Sequence, residues 1–187
     1  TTAEGGSLLT NSKRLFKKIS SLRSHGIIRD IKFRVNPWYY DQQYLGYNYR
    51  MNEIQASLGI TQLSRLNKIF KQRNKIANVY KKFLDKQKIK FQKLIPQSQS
   101  SMHLFVLRVN SKKRYKVYYN LKKKGIITNL HYIPIYRHTF YKKFFFKKSN
   151  FKNSEKYFKE AITIPLFYDL KKNKQMEIIK IINKTVG

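Results

Sequence analysis

The sequence predicts an α/β fold, and three features carry that prediction. His103-Leu104-Phe105-Val106-Leu107-Arg108-Val109 is an apolar run of strand length. Ser111 then reads as the cap of a helix through Lys124, stopped by Gly125, and Ile126-Ile127-Thr128-Asn129-Leu130 returns as a second strand. Upstream, Ile54, Leu58, Leu63, Leu66, Ile69 or Phe70, Ala77, Tyr80 and Leu84 keep near-helical spacing over a stretch too long for a loop. A strand–helix–strand unit beside long helices belongs to the mixed architectures rather than to an all-helical bundle or a sandwich.

Taken in order, Ser7-Leu8-Leu9-Thr10 reads as a short strand. Asn11 or Ser12 caps a helix through about Ser24, with Leu15, Ile19 and Leu22 on one face, and His25-Gly26 closes it. Residues 30–47, from Asp30 to Tyr47 with Asn36-Pro37-Trp38 inside, have no clean period and read as an ordered, aromatic loop. Asn52 as N-cap with Gln55 three residues later predicts a capping box, opening one long helix or two joined, to about residue 84. Residues 85–100 read as a linker with an edge strand. In the helix after Ser111, Tyr115, Tyr118 and Leu121 are expected to face inward. Helices follow at about 153–161 and 173–185, separated by Thr163-Ile164-Pro165-Leu166, and Lys142–Lys148 reads as a loop or frayed helix.

Of 187 residues, 41 are Lys or Arg and 9 are Asp or Glu, a net charge of +32. Hydrophobic residues at 41% and aromatics at 15% are too abundant for a disordered chain. With no Cys, a disulfide scaffold, a thiolate zinc site and cysteine catalysis are excluded. The charge is spread along the chain, with net +6, +9, +13 and +4 over 1–50, 51–100, 101–150 and 151–187. It is mostly Lys, whereas base readout and bidentate phosphate clamps favour Arg. Ile, Asn, Tyr and Phe, like Lys, have A/T-rich codons, and a biased genome accounts for the excess; a polyanion-binding surface is the alternative. No run is long enough for a membrane-spanning helix. Because the chain opens on Thr1 without Met, Thr1 is not expected to be a natural N-terminus.

The four His (25, 103, 131, 138) lack metal-ligand spacing, and no P-loop, GxGxxG or GxSxG is present. Two segments are denser than a scaffold requires. Gly46-Tyr47-Asn48-Tyr49-Arg50-Met51 places an amide and a guanidinium just before a helix N-terminus, where backbone N–H groups attract anions. His131-Tyr132-Ile133-Pro134-Ile135-Tyr136-Arg137-His138 follows a strand and offers donors, stacking surface and a titratable ring. From composition alone, a turn with a surface cation and a packed aromatic loop are the plainer accounts.

Read together, Thr1-Thr2-Ala3-Glu4-Gly5-Gly6, Leu22–Ile27, the run GYNYRMNEIQASLGITQLSRLNKI from Gly46, Arg73, Tyr80, Ser101–Phe105, Lys124-Gly125-Ile126, HYIPIY from His131, Ser154-Glu155 and Ile164-Pro165-Leu166 resemble the DegT-type sugar-nucleotide aminotransferases. These are pyridoxal-phosphate enzymes of the aspartate aminotransferase fold (fold type I). The resemblance implies the C-terminal half of such an enzyme: residues 1–50 ending the large cofactor domain, 51–84 a long connecting helix, and 85–187 a small α/β domain. It implies pyridoxal 5'-phosphate as cofactor, glutamate as amino donor and C4 of a UDP-4-keto-6-deoxy-N-acetylhexosamine as acceptor, in pseudaminic acid-type biosynthesis. It further implies a cytoplasmic homodimer with shared active sites and no specific nucleic acid, membrane or metal partner.

Carried over residue by residue, Asn48 matches the Asn that reaches the neighbouring subunit's cofactor phosphate and also contacts substrate. Leu130, His131, Tyr132 and Ile133 match the wall that contacts the nucleotide sugar. The family's Schiff-base Lys would precede Thr1, so no catalytic residue is assigned within this chain, and the chain alone is expected to be inactive. A basic RNA- or polyanion-binding module, a non-catalytic remnant and a dehydratase-branch relative are the rival readings.

Overall fold

The computed structural model describes residues 1–29, 36, 38–144 and 148–187. Residues 30–35 and 37 of the expected aromatic loop, and residues 145–147 of the expected frayed segment, lie outside the described residues. The chain forms two compact units, Thr1–Leu66 and Asn67–Gly187.

In the first unit, α1 (Lys13–Leu22) is capped by Ser12, whose hydroxyl oxygen accepts from Leu15 N at 3.3 Å. It ends two residues earlier than expected. Gly26 N reaches back to Ser21 O at 2.9 Å, and both His25 and Gly26 take positive φ. β1 (Ile27–Ile28) and β2 (Asp41–Gln42) form a short antiparallel pair that the irregular 30–47 stretch did not predict. The strand expected at Ser7–Thr10 does not form, and Leu9 is 94% exposed. A strand exists through its ladder partner, and no described residue pairs with this one. α2 (Glu53–Ser64) opens with the expected capping box: Gln55 N donates to Asn52 Oδ1 at 2.9 Å and Asn52 N to Gln55 Oε1 at 3.3 Å. Among the described residues of this unit only Ser21 and Gly26 are buried.

The expected run to residue 84 is two helices, parted at Arg65, with α3 covering Leu66–Phe83. The second unit carries a three-stranded antiparallel sheet in the order β3 (Lys90–Phe91), β4 (Phe105–Arg108), β5 (Ala161–Ile164). Phe105 stands opposite Ile164 and Arg108 opposite Ala161. The partner of β4 is therefore not Ile126–Leu130, which makes a single bridge, Asn129 to Thr163. All four β5 residues are buried, so the segment that separates two helices in sequence is the one the core needs as a strand.

α4 (Ser111–Lys123) is capped by Asn110 rather than Ser111, Asn110 Oδ1 accepting from Lys112 N at 3.0 Å. Its buried face is Val117 and Leu121; Tyr115, at 72% exposure, and Tyr118 do not face inward as expected. Tyr-to-Leu spacing misjudged the face because Val117, four residues before Leu121, packs better against a sheet than two long phenols needing hydrogen-bond partners. α5 (Lys152–Glu160) and α6 (Lys172–Val186) complete the unit. The core joins Ile76, Tyr80, Leu107, Val117, Leu121, Ile162 and Ile182. Its buried polar groups are paired: Tyr80 hydroxyl donates to Pro165 O at 2.8 Å and Gln175 Nε2 to Ile76 O at 2.7 Å. Arg73 Nη2 donates to Met102 O at 2.7 Å, and Asn74 Nδ2 to Ser100 O at 3.0 Å, fixing the approach to β4 on α3.

Candidate functional site

The segment around Asn48 is built by a backbone crossing. Gly26 has φ +73, and a Cβ there would lie 1.8 Å from Tyr44 O; a Cβ on Gly46 would lie 2.3 Å from Gly26 N and 2.6 Å from Leu22 O. Only glycines let these two chains touch. Below the crossing, Tyr47 N donates to Leu22 O, His25 N to Tyr47 O and Tyr49 N to Arg23 O, at 3.0, 3.0 and 2.9 Å. Tyr47 and Tyr49 stack with ring centroids 5.2 Å apart, which places them on one face of the extended segment. Alternation sends Asn48 to the other face. Asn48 and Arg50 are exposed, and neither side chain has a hydrogen-bond or ion-pair partner among the described residues.

The helix that follows contributes differently from the sequence expectation. Its capping box occupies the Gln55 N–H, so Asn52, not an incoming anion, satisfies that donor. Instead α2 holds the first residues of the chain. Gln55 Nε2 donates to Glu4 O at 3.0 Å while its Oε1 serves the cap. A Cβ on Gly59 would stand 3.2 Å from Thr2 Cγ2, and one on Gly5 3.3 Å from Met51 Cε. Gln55 and Gly59 stand four residues apart on one side of α2, Met51 lies just before its cap, and Thr2 to Gly5 runs against all three. The Thr2 hydroxyl donates to Glu4 O at 2.9 Å, closing the turn. The capping role of Gln55 is legible in the sequence and this second one is not; the i, i+4 pair Gln55 and Gly59 is its one local signal.

Leu130 to Ile133 lie in the second unit, beyond the Asn129–Thr163 bridge. Leu130 and His131 are half-buried, and Tyr132 and Ile133 are exposed. His131 Nδ1 is 2.8 Å from Thr163 Oγ1, and the Tyr157 hydroxyl donates to His131 O at 3.0 Å. Burial pushes the Tyr157 phenol above its usual value, with Arg108 opposing, so it remains a donor. Farther along, Glu155 Oε1 accepts from Tyr136 hydroxyl at 2.8 Å and Arg137 Nε at 2.9 Å, and its Oε2 accepts from Arg137 Nη2. Glu155 raises the Arg137 guanidinium, its hydrogen bond acting first. Thr128 Oγ1, two residues before Leu130, is buried with no hydrogen-bond partner among the described residues. Tyr157, Thr163 and Glu155 had no assigned role in the sequence reading.

Asn48 thus stands in one unit and residues 130–133 in the other. The Asn48 amide and Arg50 guanidinium, both exposed on a backbone fixed by three hydrogen bonds, are a donor set that fits a phosphate. Among the described residues no group of three His, Cys, Asp or Glu could hold a metal, and no helix is long and apolar enough to cross a membrane.

This mixed α/β fold is that of about half the chain of solved pyridoxal-phosphate-dependent aminotransferases. The chain superposes on Helicobacter pylori PseC, an aminotransferase involved in the biosynthesis of pseudoaminic acid, with a TM-score of 0.84 at 29% identity, covering 100% of this chain and 50% of that one. On the PMP-form of Streptococcus pneumoniae Spr1654, assigned as a sugar aminotransferase, the TM-score is 0.85 at 28% identity, with the same coverage. The chain belongs to the DegT/DnrJ/EryC1/StrS aminotransferase family, whose pattern matches residues 1–183. It is 32% identical over 174 residues to the UDP-4-amino-4,6-dideoxy-N-acetyl-beta-L-altrosamine transaminase of Campylobacter jejuni, covering 91% of this chain and 45% of that protein. The chain spans about half the length of the curated relatives it matches.

Proposed function

We propose that this chain is the C-terminal part of a nucleotide-sugar aminotransferase that moves an amino group from glutamate to C4 of a UDP-4-keto-6-deoxy-N-acetylhexosamine. In this reading residues 1–50 complete the large cofactor domain, 51–84 connect, and 85–187 form the small domain of a cytoplasmic homodimer with shared active sites. The observation that carries it is the Asn48 amide, exposed on a locked backbone and without a partner among the described residues, within a family match that runs over residues 1–183. The names of the Campylobacter and Helicobacter relatives favour C4 amination within pseudaminic acid-type biosynthesis.

Pyridoxal 5'-phosphate, when bound, supplies the electrophilic carbon and electron sink that amino transfer requires. Asn48 would hold its phosphate by donating from the amide, across the dimer, and would also meet the substrate; Arg50 adds positive charge beside it. Leu130, His131, Tyr132 and Ile133 would wall the nucleotide sugar, His131 offering its Nε2 edge while Thr163 holds Nδ1. The loop 2–5, tied to Gln55, keeps the chain entering the site in place. The lysine that carries the cofactor and shuttles the proton lies, on the family pattern, outside this chain, so the chain alone is inactive.

The test is the full-length protein, loaded with pyridoxal phosphate and given glutamate and the UDP-4-keto sugar. Formation of 2-oxoglutarate with a 4-amino sugar supports the reading, and no product sinks it. Asn48→Ala should weaken cofactor affinity about tenfold, the loss of one charge-assisted hydrogen bond; unchanged affinity removes Asn48 from the site.

A further inference from the structure

We propose that α5 sets the conformation of segment 131–137, with Glu155 as the positioning residue, so that nucleotide affinity depends on a carboxylate that touches no nucleotide. The inference rests on reading that segment as the nucleotide-sugar wall.

The starting observation is charge. Residues 101–150 hold 13 Lys and Arg and no carboxylate. Both arginine side chains of that stretch that form ion pairs find their acid on α5. Arg108 Nη2 meets Glu160 Oε2 at 2.7 Å, and Arg137 meets Glu155. Glu155 takes two donors from Arg137 and one from Tyr136, with its side chain only 12% exposed. Two residues further along α5, the Tyr157 hydroxyl takes the His131 carbonyl at 3.0 Å. Aromatic packing repeats the pattern. Tyr136 stacks on Phe151 at 4.6 Å, immediately before α5, and the Arg137 guanidinium lies 4.6 Å from the Phe158 ring centroid.

One helix therefore grips the segment at both ends, at His131 and at Tyr136-Arg137. Between the grips, Tyr132, Ile133 and Ile135 are exposed. Fixed ends with an open middle are what presents side chains to a ligand. The same geometry commits the Nε and Nη2 edge of Arg137 to Glu155 and offsets its charge, which weakens it as a partner for a diphosphate ligand. Affinity for a ligand scales with the fraction of molecules whose segment is in the binding arrangement, so loosening one grip lowers apparent affinity without removing a contact.

The experiment is calorimetric titration of the full-length protein with UDP as probe. The wild type, Glu155→Gln, Glu155→Asp and Tyr157→Phe are compared, with Glu177→Gln, a half-buried acid on α6 that pairs with Lys174, as control. Glu155→Gln should weaken UDP about tenfold at unchanged pyridoxal phosphate affinity, and Glu155→Asp, which restores the charge, should recover most of that loss. Tyr157→Phe should weaken UDP severalfold, and Glu177→Gln should leave it unchanged. Unchanged UDP affinity in Glu155→Gln overturns the proposal while leaving the functional reading intact; a wild type that does not bind UDP overturns both. If Glu155→Gln loses the cofactor as well, the fold has failed, and Tyr157→Phe, which removes a single hydroxyl, decides: unchanged UDP affinity there overturns the proposal.

Discussion

Gly46→Ala is the sharpest test of how the Asn48 segment is built. The added methyl carbon would lie 2.3 Å from Gly26 N, 2.6 Å from Leu22 O and 2.7 Å from His25 C. All three neighbours are backbone, so no rotamer change relieves the clash, and the strands must separate by about 1 Å to restore contact distance. Separation on that scale breaks the three hydrogen bonds that follow: Tyr47 to Leu22, His25 to Tyr47 and Tyr49 to Arg23. At about 1 kcal/mol net each, the segment loses about 3 kcal/mol of local stability. That corresponds to amide exchange faster by about two orders of magnitude at His25, Tyr47 and Tyr49. Hydrogen exchange resolved by residue reads this directly, and core amides such as Leu107 in the second unit serve as the internal reference. Gly6, where an added Cβ meets nothing within 4 Å, is the matched control, and Gly6→Ala should leave exchange unchanged. Native protection at Tyr47 and Tyr49 in Gly46→Ala would refute the crossing as the origin of the segment's rigidity.

Two further outcomes follow from the same kind of reasoning. Gln55→Glu keeps an oxygen for the Asn52 cap but replaces the donor to Glu4 O with a second acceptor; residues 2–5 should lose order at a cost of about 1 kcal/mol, seen as a drop in their 15N heteronuclear NOE, and unchanged NOE values would show that Gln55 does not hold them. Tyr80→Phe strands the Pro165 carbonyl in the core and should cost about 1–3 kcal/mol by urea titration. Burial holds the Tyr80 phenol well above its ordinary value, so on raising pH the unfolded chain ionises first. Wild-type stability is therefore whole below about pH 10 and declines above it by up to about 1.4 kcal/mol per pH unit for this proton, a slope that Tyr80→Phe should lack.

What the sequence disclosed was set by how local each signal is. Ser12, the Asn52–Gln55 box and Gly125 punctuate helices within four residues of themselves, and the structure has them where expected. Strand identity is not local. Ile126-Ile127-Thr128 and Ile162-Thr163-Ile164 are equally β-branched, and only antiparallel pairing with Phe105–Arg108 chooses the second. The short β1–β2 pair spans an irregular stretch for the same reason, its ladder joining residues far apart in sequence. Asn48 and His131 stood out as residues, but what steadies them did not: three backbone hydrogen bonds under a glycine crossing, and a carboxylate on α5. The second had a readable cue. A stretch carrying 13 cations and no acid must borrow its counter-charges, and Glu155 and Glu160 are the nearest acids that follow it in sequence.

The sheet of the second unit has a consequence for self-association. Its apolar centre, β4, is shielded on one side by β3, only two residues long and beginning with Lys90, and on the other by β5, whose free edge meets a single bridge from Asn129. Neither outer edge is a long apolar ladder on which another copy could add strands, and each approaching copy would bring the same large positive charge. A chain rich in isoleucine and tyrosine, residues that favour intermolecular β-stacking, thus keeps the apolar strand β4 paired on both sides in the interior of the sheet, where it offers no edge to another copy.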